Sequence, residues 1–397
     1  TSEAFNARSV FVADLDGDGD PDVLSASSRK IAWYENDGTG RFGDQQDITF
    51  TDGDARSVFA ADLDGDGDKD VLSASSIFSN LSDDDDREIA WYENNGAGGF
   101  GDKQVITTDV NGARSVFSAD LDGDGDKDVL SASGFDERGK IAWYENNGSG
   151  EFGPQQVITT ETPSAASVFA ADLNGDGDAD VLSASRDDDK ISWYENDGSG
   201  GFGGQQVITT EAVRAESVFA ADLDGDGDSD VLSASGAFIA WYENDGSGGF
   251  GDQQVITNEA IQAQSVFAAD LDGDGAPDVL SASDSDSKIA WYENLSSTAT
   301  SIDEGSGDIP EKFILRQNYP NPFNPSTTIE YGLPAAAEVS LTVYDMMGRE
   351  VVTLVNKRQS AGTHSVNFDA SRLASGVYLY RLEAGDIVET RKLTLIK

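Results

Sequence analysis

The sequence predicts an all-β protein: a β-propeller of four-stranded blades followed by a small β-sandwich. Three observations predict this. The stretch S-V-F-x-A-D-L-[DN]-G-D-G-x-x-D-V-L-S-A-S occurs six times, each copy followed by I-[AS]-W-Y-E-N, with first aspartates spaced by 48, 58, 52, 50 and 48 residues. A period near fifty, rich in strand formers and glycine turns, marks a stacked or radial repeat. Within each period lie four short strand-forming runs and no helical periodicity. The repeat stops at Asn294, and beyond residue 309 alternating apolar runs separated by turn signals take over.

The third copy shows the elements in order. Residues 115–119 make a short apolar strand that runs into an aspartate-glycine loop, and residues 129–133 make a second. Residues 141–145 form a third, ended by Asn146-Asn147-Gly148, and residues 155–159 form a fourth after Phe152-Gly153. The first strand, small and apolar in every copy, suits an inner channel wall. The fourth varies most, with Asp47 where other copies have Val105, Val157, Val207 or Val255, and suits an outer, half-solvated edge. Trp33, Trp91, Trp143, Trp193, Trp241 and Trp291 hold one position in all six copies. Packing between blades explains that better than a sugar platform.

Six blades are expected, or seven if more sequence precedes Thr1. Residues 1–6 align with residues 257–262, the tail of an outer strand, whereas the sixth copy stops after Asn294 without its own. A closed ring needs that edge covered. An upstream strand would cover it, or residues 296–302. With neither Met nor a signal peptide at Thr1, the chain reads as a mature form or a fragment.

The formal charge is −48, with no Cys and one His. Residues 301–397 hold 10 Lys/Arg and 12 Asp/Glu, so the first 300 residues carry 16 basic against 62 acidic groups. Such a surface repels phosphate backbones, which excludes nucleic acid as a partner. No run of 18 apolar residues exists, so no membrane span is expected. Disulfides, thiol chemistry and His/Cys zinc sites are excluded likewise. Solubility or salt adaptation would explain an acidic coat, but 28 of the 62 acids lie inside the six loops, which points to cations.

Each loop offers side-chain oxygens at positions 1, 3, 5 and 9, with Gly at 6 and a backbone carbonyl at 7. Position 1 is Asp14, Asp62, Asp120, Asp172, Asp222 and Asp270. Position 3 is Asp16, Asp64, Asp122, Asn174, Asp224 and Asp272, and position 5 is Asp18, Asp66, Asp124, Asp176, Asp226 and Asp274. Position 7 is Asp20, Asp68, Asp126, Asp178, Asp228 and Ala276; position 9 is Asp22, Asp70, Asp128, Asp180, Asp230 and Asp278. This oxygen-only set, spaced like the first seven positions of an EF-hand loop, points to Ca²⁺, about one per repeat. An amide oxygen at Asn174 still ligates, and a backbone ligand tolerates Ala276. Without a cation, the crowded carboxylates would repel one another. Six Ca²⁺ would bring the charge from −48 to −36.

These loops, with the pairs Phe42-Gly43, Phe100-Gly101, Phe152-Gly153, Phe202-Gly203 and Phe250-Gly251, resemble FG-GAP/VCBS repeats over residues 7–294. Such blades are also found in integrin α-chain propellers. The resemblance implies a propeller with Ca²⁺ between first and second strands, and leaves the ligand open.

Three parts are expected: a propeller over 1–294, a linker over 295–309 and an Ig-like β-sandwich over 310–397. The last resembles the type A sorting domain of type IX secretion. The matching motifs are N-Y-P-N-P-F-N-P-S-T-T from Asn318, Y-D-x-x-G from Tyr344, L-A-S-G-V-Y from Leu373 and the terminal K-L-T-L-I-K from Lys392. That resemblance implies the type IX machinery as a partner and export to the surface or medium of a Gram-negative bacterium, with the domain removed on arrival. His364 lies in a strand of this domain and reads as structural.

No catalytic constellation is visible, so an enzyme is not expected. The acids recur six times, whereas an active site is unique. Function belongs to what varies. Because loops alternate faces in an up-and-down blade, the aspartate loops and glycine-rich third-to-fourth turns share one face. The other face carries the second-to-third loops (28–30, 76–88, 134–140, 186–190, 236–238, 284–288) and the blade-to-blade loops (50–54, 108–112, 161–164, 211–214, 259–262). The leading expectation is a secreted, monomeric, calcium-stabilised propeller that binds an extracellular glycan or protein there. Alternatives are a polysaccharide-degrading enzyme and a structural surface protein.

Overall fold

The computed structural model describes Ala4 and residues 6–76, 87–134, 139–295, 313–316, 318, 326–345, 349–359, 362–370, 373, 376–384 and 387–395. The acidic run 83–86, most of loop 134–140, residues 296–302 and the proline-rich run 319–325 lie outside these. The described residues are all-β and fall in two compact units, Thr1–Thr298 and Ala299–Lys397.

In the first unit each repeat forms one antiparallel blade in chain order. The third consists of Ala113–Ala119, Asp128–Ser133, Lys140–Tyr144 and Gln156–Thr159. The fourth (Ala165–Ala171, Asp180–Ser185, Lys190–Tyr194, Gln206–Thr209) and fifth (Ser217–Ala221, Asp230–Ala234, Ile239–Tyr242, Gln254–Thr257) repeat that plan. The sixth has three strands, Ala263–Ala269, Asp278–Ser283 and Lys288–Tyr292.

Blades one and two share a six-stranded sheet because strand geometry runs on through two of the expected loops. Asp22–Tyr34 holds the second and third strands of blade one, and Gln46–Ala61 joins its outer strand to the inner strand of blade two. The crossings pair with each other, Ser28 opposite Asp54 and Lys30 opposite Phe50. Loops 28–30 and 50–54 are therefore largely strand, with Arg29 at φ 64° making the turn between Ser28 and Lys30.

Inner strands lie side by side. Phe11, Phe59, Phe117, Phe169, Phe219 and Phe267 form a row of tilted rings with successive centroids 4.4–4.7 Å apart. From blade to blade, the Val58 amide donates to Ser9 Oγ at 3.3 Å, as Val116 does to Ser57 and Val168 to Ser115. Between neighbouring blades sits an apolar wedge. Trp33, Trp91, Trp143 and Trp193 are each 3% exposed. Each ring lies against a glycine of the next blade's third-to-fourth turn; a methyl on Gly200 would stand 2.6 Å from Trp143 Cζ2. Inter-blade packing accounts for these four.

The last two tryptophans depart from that expectation. Trp241 is half-buried and Trp291 is 47% exposed. A tryptophan is covered by the glycine turn of the blade after it, and the sixth repeat ends before that turn. At the other end, Val10 and Val12 are 67% and 56% exposed, although their counterparts Val58 and Ala60 are buried, and nothing lies within 4 Å of a methyl built on Gly40. Among the described residues, blades one and six do not cover each other. Trp291→Phe should therefore remove the most quenchable part of the tryptophan emission in an acrylamide titration, and Trp143→Phe should not. Equal quenching of both variants would contradict this arrangement.

The second unit is a β-sandwich. One sheet holds Ile314–Leu315, Ser326–Leu333 and Gly362–Asp369; the other runs Glu350–Gln359, Ala337–Asp345, Gly376–Ala384, Ile387–Leu395. Alternating residues such as Val339, Leu341 and Val343 fill the core with Ile329, Tyr331, Tyr380 and Leu382. Tyr380 Oη donates to the Arg316 carbonyl at 2.6 Å and accepts the Asn318 amide at 2.8 Å, so Asn318 is a packing residue. His364 stacks on Tyr331 at 5.5 Å and bonds Gln359, consistent with a structural role.

Candidate metal centre

Each aspartate loop is shaped by its own carboxylates. In the first, Asp14 accepts the Gly17 and Gly19 amides at 2.8 and 3.0 Å, and Asp18 accepts the Asp20 amide at 2.8 Å. These Asx turns curl the backbone around one point. Gly17 and Gly19 adopt φ of 77° and 92°, where a side chain would be strained. A methyl on Gly17 would also sit 2.8 Å from the Gly96 carbonyl of the next blade.

Oxygens of positions 1, 3 and 5 converge in the first two loops, and those of positions 1, 3 and 9 in the third, fifth and sixth. In each set, one oxygen per residue lies within 4.8 Å of the others. Ligands at 2.3–2.6 Å from one Ca²⁺ span that distance, so the donor set fits the ion. In the fourth loop Asn174 Oδ1 accepts the Asp176 amide at 3.0 Å, the role of an aspartate there, and keeps an amide oxygen in place.

Position 9 does more than its spacing suggested. Asp22, Asp70, Asp128, Asp180, Asp230 and Asp278 are fully buried. Asp70 Oδ2 accepts the Leu63 amide and its Oδ1 the Asn94 amide, both at 2.8 Å, which ties the loop's start to the end of W-Y-E-N. Burial pushes Asp70 and Asp128 up to about 7, and Asp180 and Asp230 up to about 6. Their amide bonds oppose the shift, and the neighbouring loop carboxylates add to it. A cation would reverse that balance.

Position 7 uses its backbone. The Asp20 amide donates to Asp18, as the Ala276 amide does to Asp274 at 2.8 Å. The Asp178 side chain turns away instead, to lie 2.5 Å from where a methyl on Gly198 would stand. Ala276 thus keeps the bond its position needs, and its carbonyl remains the group a cation would use.

The two faces are assigned as expected. On the loop face, the Gly98 amide donates to the Leu15 carbonyl at 3.2 Å. On the opposite face second-to-third loops meet blade-to-blade loops: Gly134 bonds Gly112, Arg214 bonds Asp189, and Gln262 bonds Gly236. Sequence reasoning missed the charges gathered there. Arg8 and Arg56 both reach Asp54 at 3.8 Å, and Arg186 pairs with Glu216 at 3.0 Å. Burial, then the nearby Arg8, lowers Arg56 to about 10. Arg8, Arg56 and Arg114 share one strand position with Ala166, Glu216 and Gln264. That departure from the repeat was visible in the sequence. A groove of about 500 Å³ also runs along the outer strand of blade four and is lined by Thr209, Glu211, Tyr242, Asp252 and Gln253.

Residues 14–73, 77–131, 120–183, 172–233 and 222–281 match the FG-GAP-like repeat. The chain belongs to the FG-GAP-like repeat family. Residues 317–397 of this FG-GAP protein match the secretion system C-terminal sorting domain, which marks it for type IX export to the cell surface or the extracellular space. No helix among the described residues is long and apolar enough to cross a membrane. No curated protein matches the chain by sequence.

Among solved structures, an Agrocybe aegerita lectin that recognises non-reducing terminal N-acetylglucosamine aligns with 21% identity and a TM-score of 0.52 over 73% of this chain and 77% of its own. That likeness supports the propeller fold. PorZ of Porphyromonas gingivalis, a surface component of the type-IX secretion system, aligns at 14% identity and TM-score 0.45, over 96% of this chain and 51% of its own. A Photorhabdus luminescens Tc holotoxin pore aligns at 15% identity and TM-score 0.44, over 95% of this chain and 19% of its own.

Proposed function

We propose that this protein is a secreted, calcium-stabilised propeller that captures an extracellular glycan or protein on its variable-loop face. One observation carries the reading: the blades are alike on the aspartate-loop face and differ on the other. A function specific to one ligand needs residues that are not repeated six times. Those are the Arg8–Asp54–Arg56 and Arg186–Glu216 groups and the adjoining loops. The fold shared with a sugar-binding lectin is in keeping with a glycan ligand. Calcium neutralises the loops and holds the blades' ends, and the sorting domain delivers the chain and is then removed.

Screening the full chain against polysaccharides, glycans and matrix proteins, with and without Ca²⁺, should give retention without product release. Retention should be lost when Arg56 and Glu216 are replaced and kept when Asp252 is replaced by Asn. A second reading is glycoside hydrolysis, favoured by Glu211 and Asp252 lining one groove. Release of reducing ends that stops with Asp252→Asn would select it. Failure to retain any polymer or protein would favour a structural surface protein.

A further inference from the structure

The aspartate loops are physically joined from blade to blade, and the joint is the asparagine that closes W-Y-E-N. In blade two, Asn94 Nδ2 donates to two carbonyls: Leu15 in the loop of blade one at 2.8 Å, and Lys69 in its own loop at 2.9 Å. Its backbone amide meanwhile donates to Asp70 Oδ1 at 2.8 Å. Leu15 directly follows the first candidate ligand of one loop, and Lys69 directly precedes the last of the next. Asn146, Asn196, Asn244 and Asn294 repeat both side-chain bonds, at 2.7–2.9 Å to the preceding loop and 2.9–3.0 Å to their own.

A second strut runs beside the first. Gly17 of one loop lies against the Gly96 carbonyl of the next blade, and Gly96 lies against Asp68 of the following loop. Blade one breaks the pattern. Asn36 donates its side-chain N–H to Pro21 of its own loop at 3.0 Å and reaches no other loop among the described residues. At the far end Leu271 is 48% exposed, and nothing lies within 4 Å of a methyl on Gly273.

We infer that Asn94, Asn146, Asn196, Asn244 and Asn294 are positioning residues that couple cation binding at successive loops, making the six loops a linear cooperative array. This rests on the calcium reading above. The physical cause is shared ordering. Each loop must gather mutually repelling carboxylates before it can close on an ion. Closing one fixes its position-2 carbonyl, which holds the next asparagine, which in turn holds the position-8 carbonyl and position-9 carboxylate of the following loop. Part of the ordering cost of the second ion is then met by the first, which is positive coupling without a change of fold.

The test is calorimetric Ca²⁺ titration of the full chain after chelator treatment. The native chain should titrate more steeply than independent sites, each link raising its neighbour's affinity about 5-fold or more. Asn146→Ala should weaken the link between loops two and three, where the Gly150 amide still reaches the Leu63 carbonyl, and so flatten the titration. Asn36→Ala removes the same bond to its own loop but no link, so it should leave the steepness unchanged. If Asn146→Ala does not fold, Asn294→Ala, near the open end, makes the equivalent cut between loops five and six. A non-cooperative native titration, or equal flattening by Asn36→Ala and Asn146→Ala, would overturn the coupling while leaving calcium binding intact. Absence of any binding heat or melting shift with Ca²⁺ would overturn the calcium reading as well.

Discussion

In excess chelator the melting temperature of the propeller unit should fall by more than about 10 °C, while that of the sorting domain stays where it is. Five of the six loops bring three carboxylates within 4.8 Å of one another, and the position-9 aspartates of all six are fully buried. A site held at a hundred times its dissociation constant stabilises the folded state by about 2.7 kcal/mol, and there are six loops to empty. The sorting domain has no such loop and serves as an internal control. Calorimetry with chelator, then with Ca²⁺ restored at constant ionic strength, measures the effect. A propeller transition that does not move would end the calcium reading.

Replacing Trp143 by alanine should destabilise the propeller by about 3–5 kcal/mol, whereas Trp291→Ala should cost less than about 1 kcal/mol. The two residues occupy the same repeat position, and only their neighbours differ. Trp143 is 3% exposed between Gly200 and the edge of Phe202, 6.4 Å away, so its removal leaves a cavity that rigid backbone cannot close. Trp291 is 47% exposed and leaves little behind. Urea unfolding of both variants at saturating Ca²⁺ would measure the difference. Equal losses would mean that the two wedges are equally packed, contrary to the open face on blade six.

Much of the fold was legible because the repeat supplies its own comparison. Six copies of one strand–loop–strand pattern separate what every blade needs, such as Val-Phe on the inner strand and glycine at loop position 6, from what drifts. The variable face was legible for the same reason, since loop alternation in an up-and-down blade requires no tertiary information. The tryptophans mark the limit of that logic. Identical residues implied identical burial, but burial depends on the next blade, and the last repeat has none of its own turn to offer.

The sequence alone therefore determined the class of fold, the sorting address and the oxygen-rich loops, because each is written in local spacing: strand periodicity, terminal motifs, and acids at positions 1, 3, 5 and 9. Only the tertiary structure decided what the W-Y-E-N asparagine does. Its partners Leu15 and Lys69 lie 79 and 25 residues from Asn94, in two different loops. No spacing rule reaches across blades. The same holds for Arg8, which the chain keeps far from Asp54 and Arg56 and the row of inner strands brings beside them. The opening repeat is thus a set of separate loops in sequence and a connected array in space, because hydrogen bonds between blades join what the chain keeps apart.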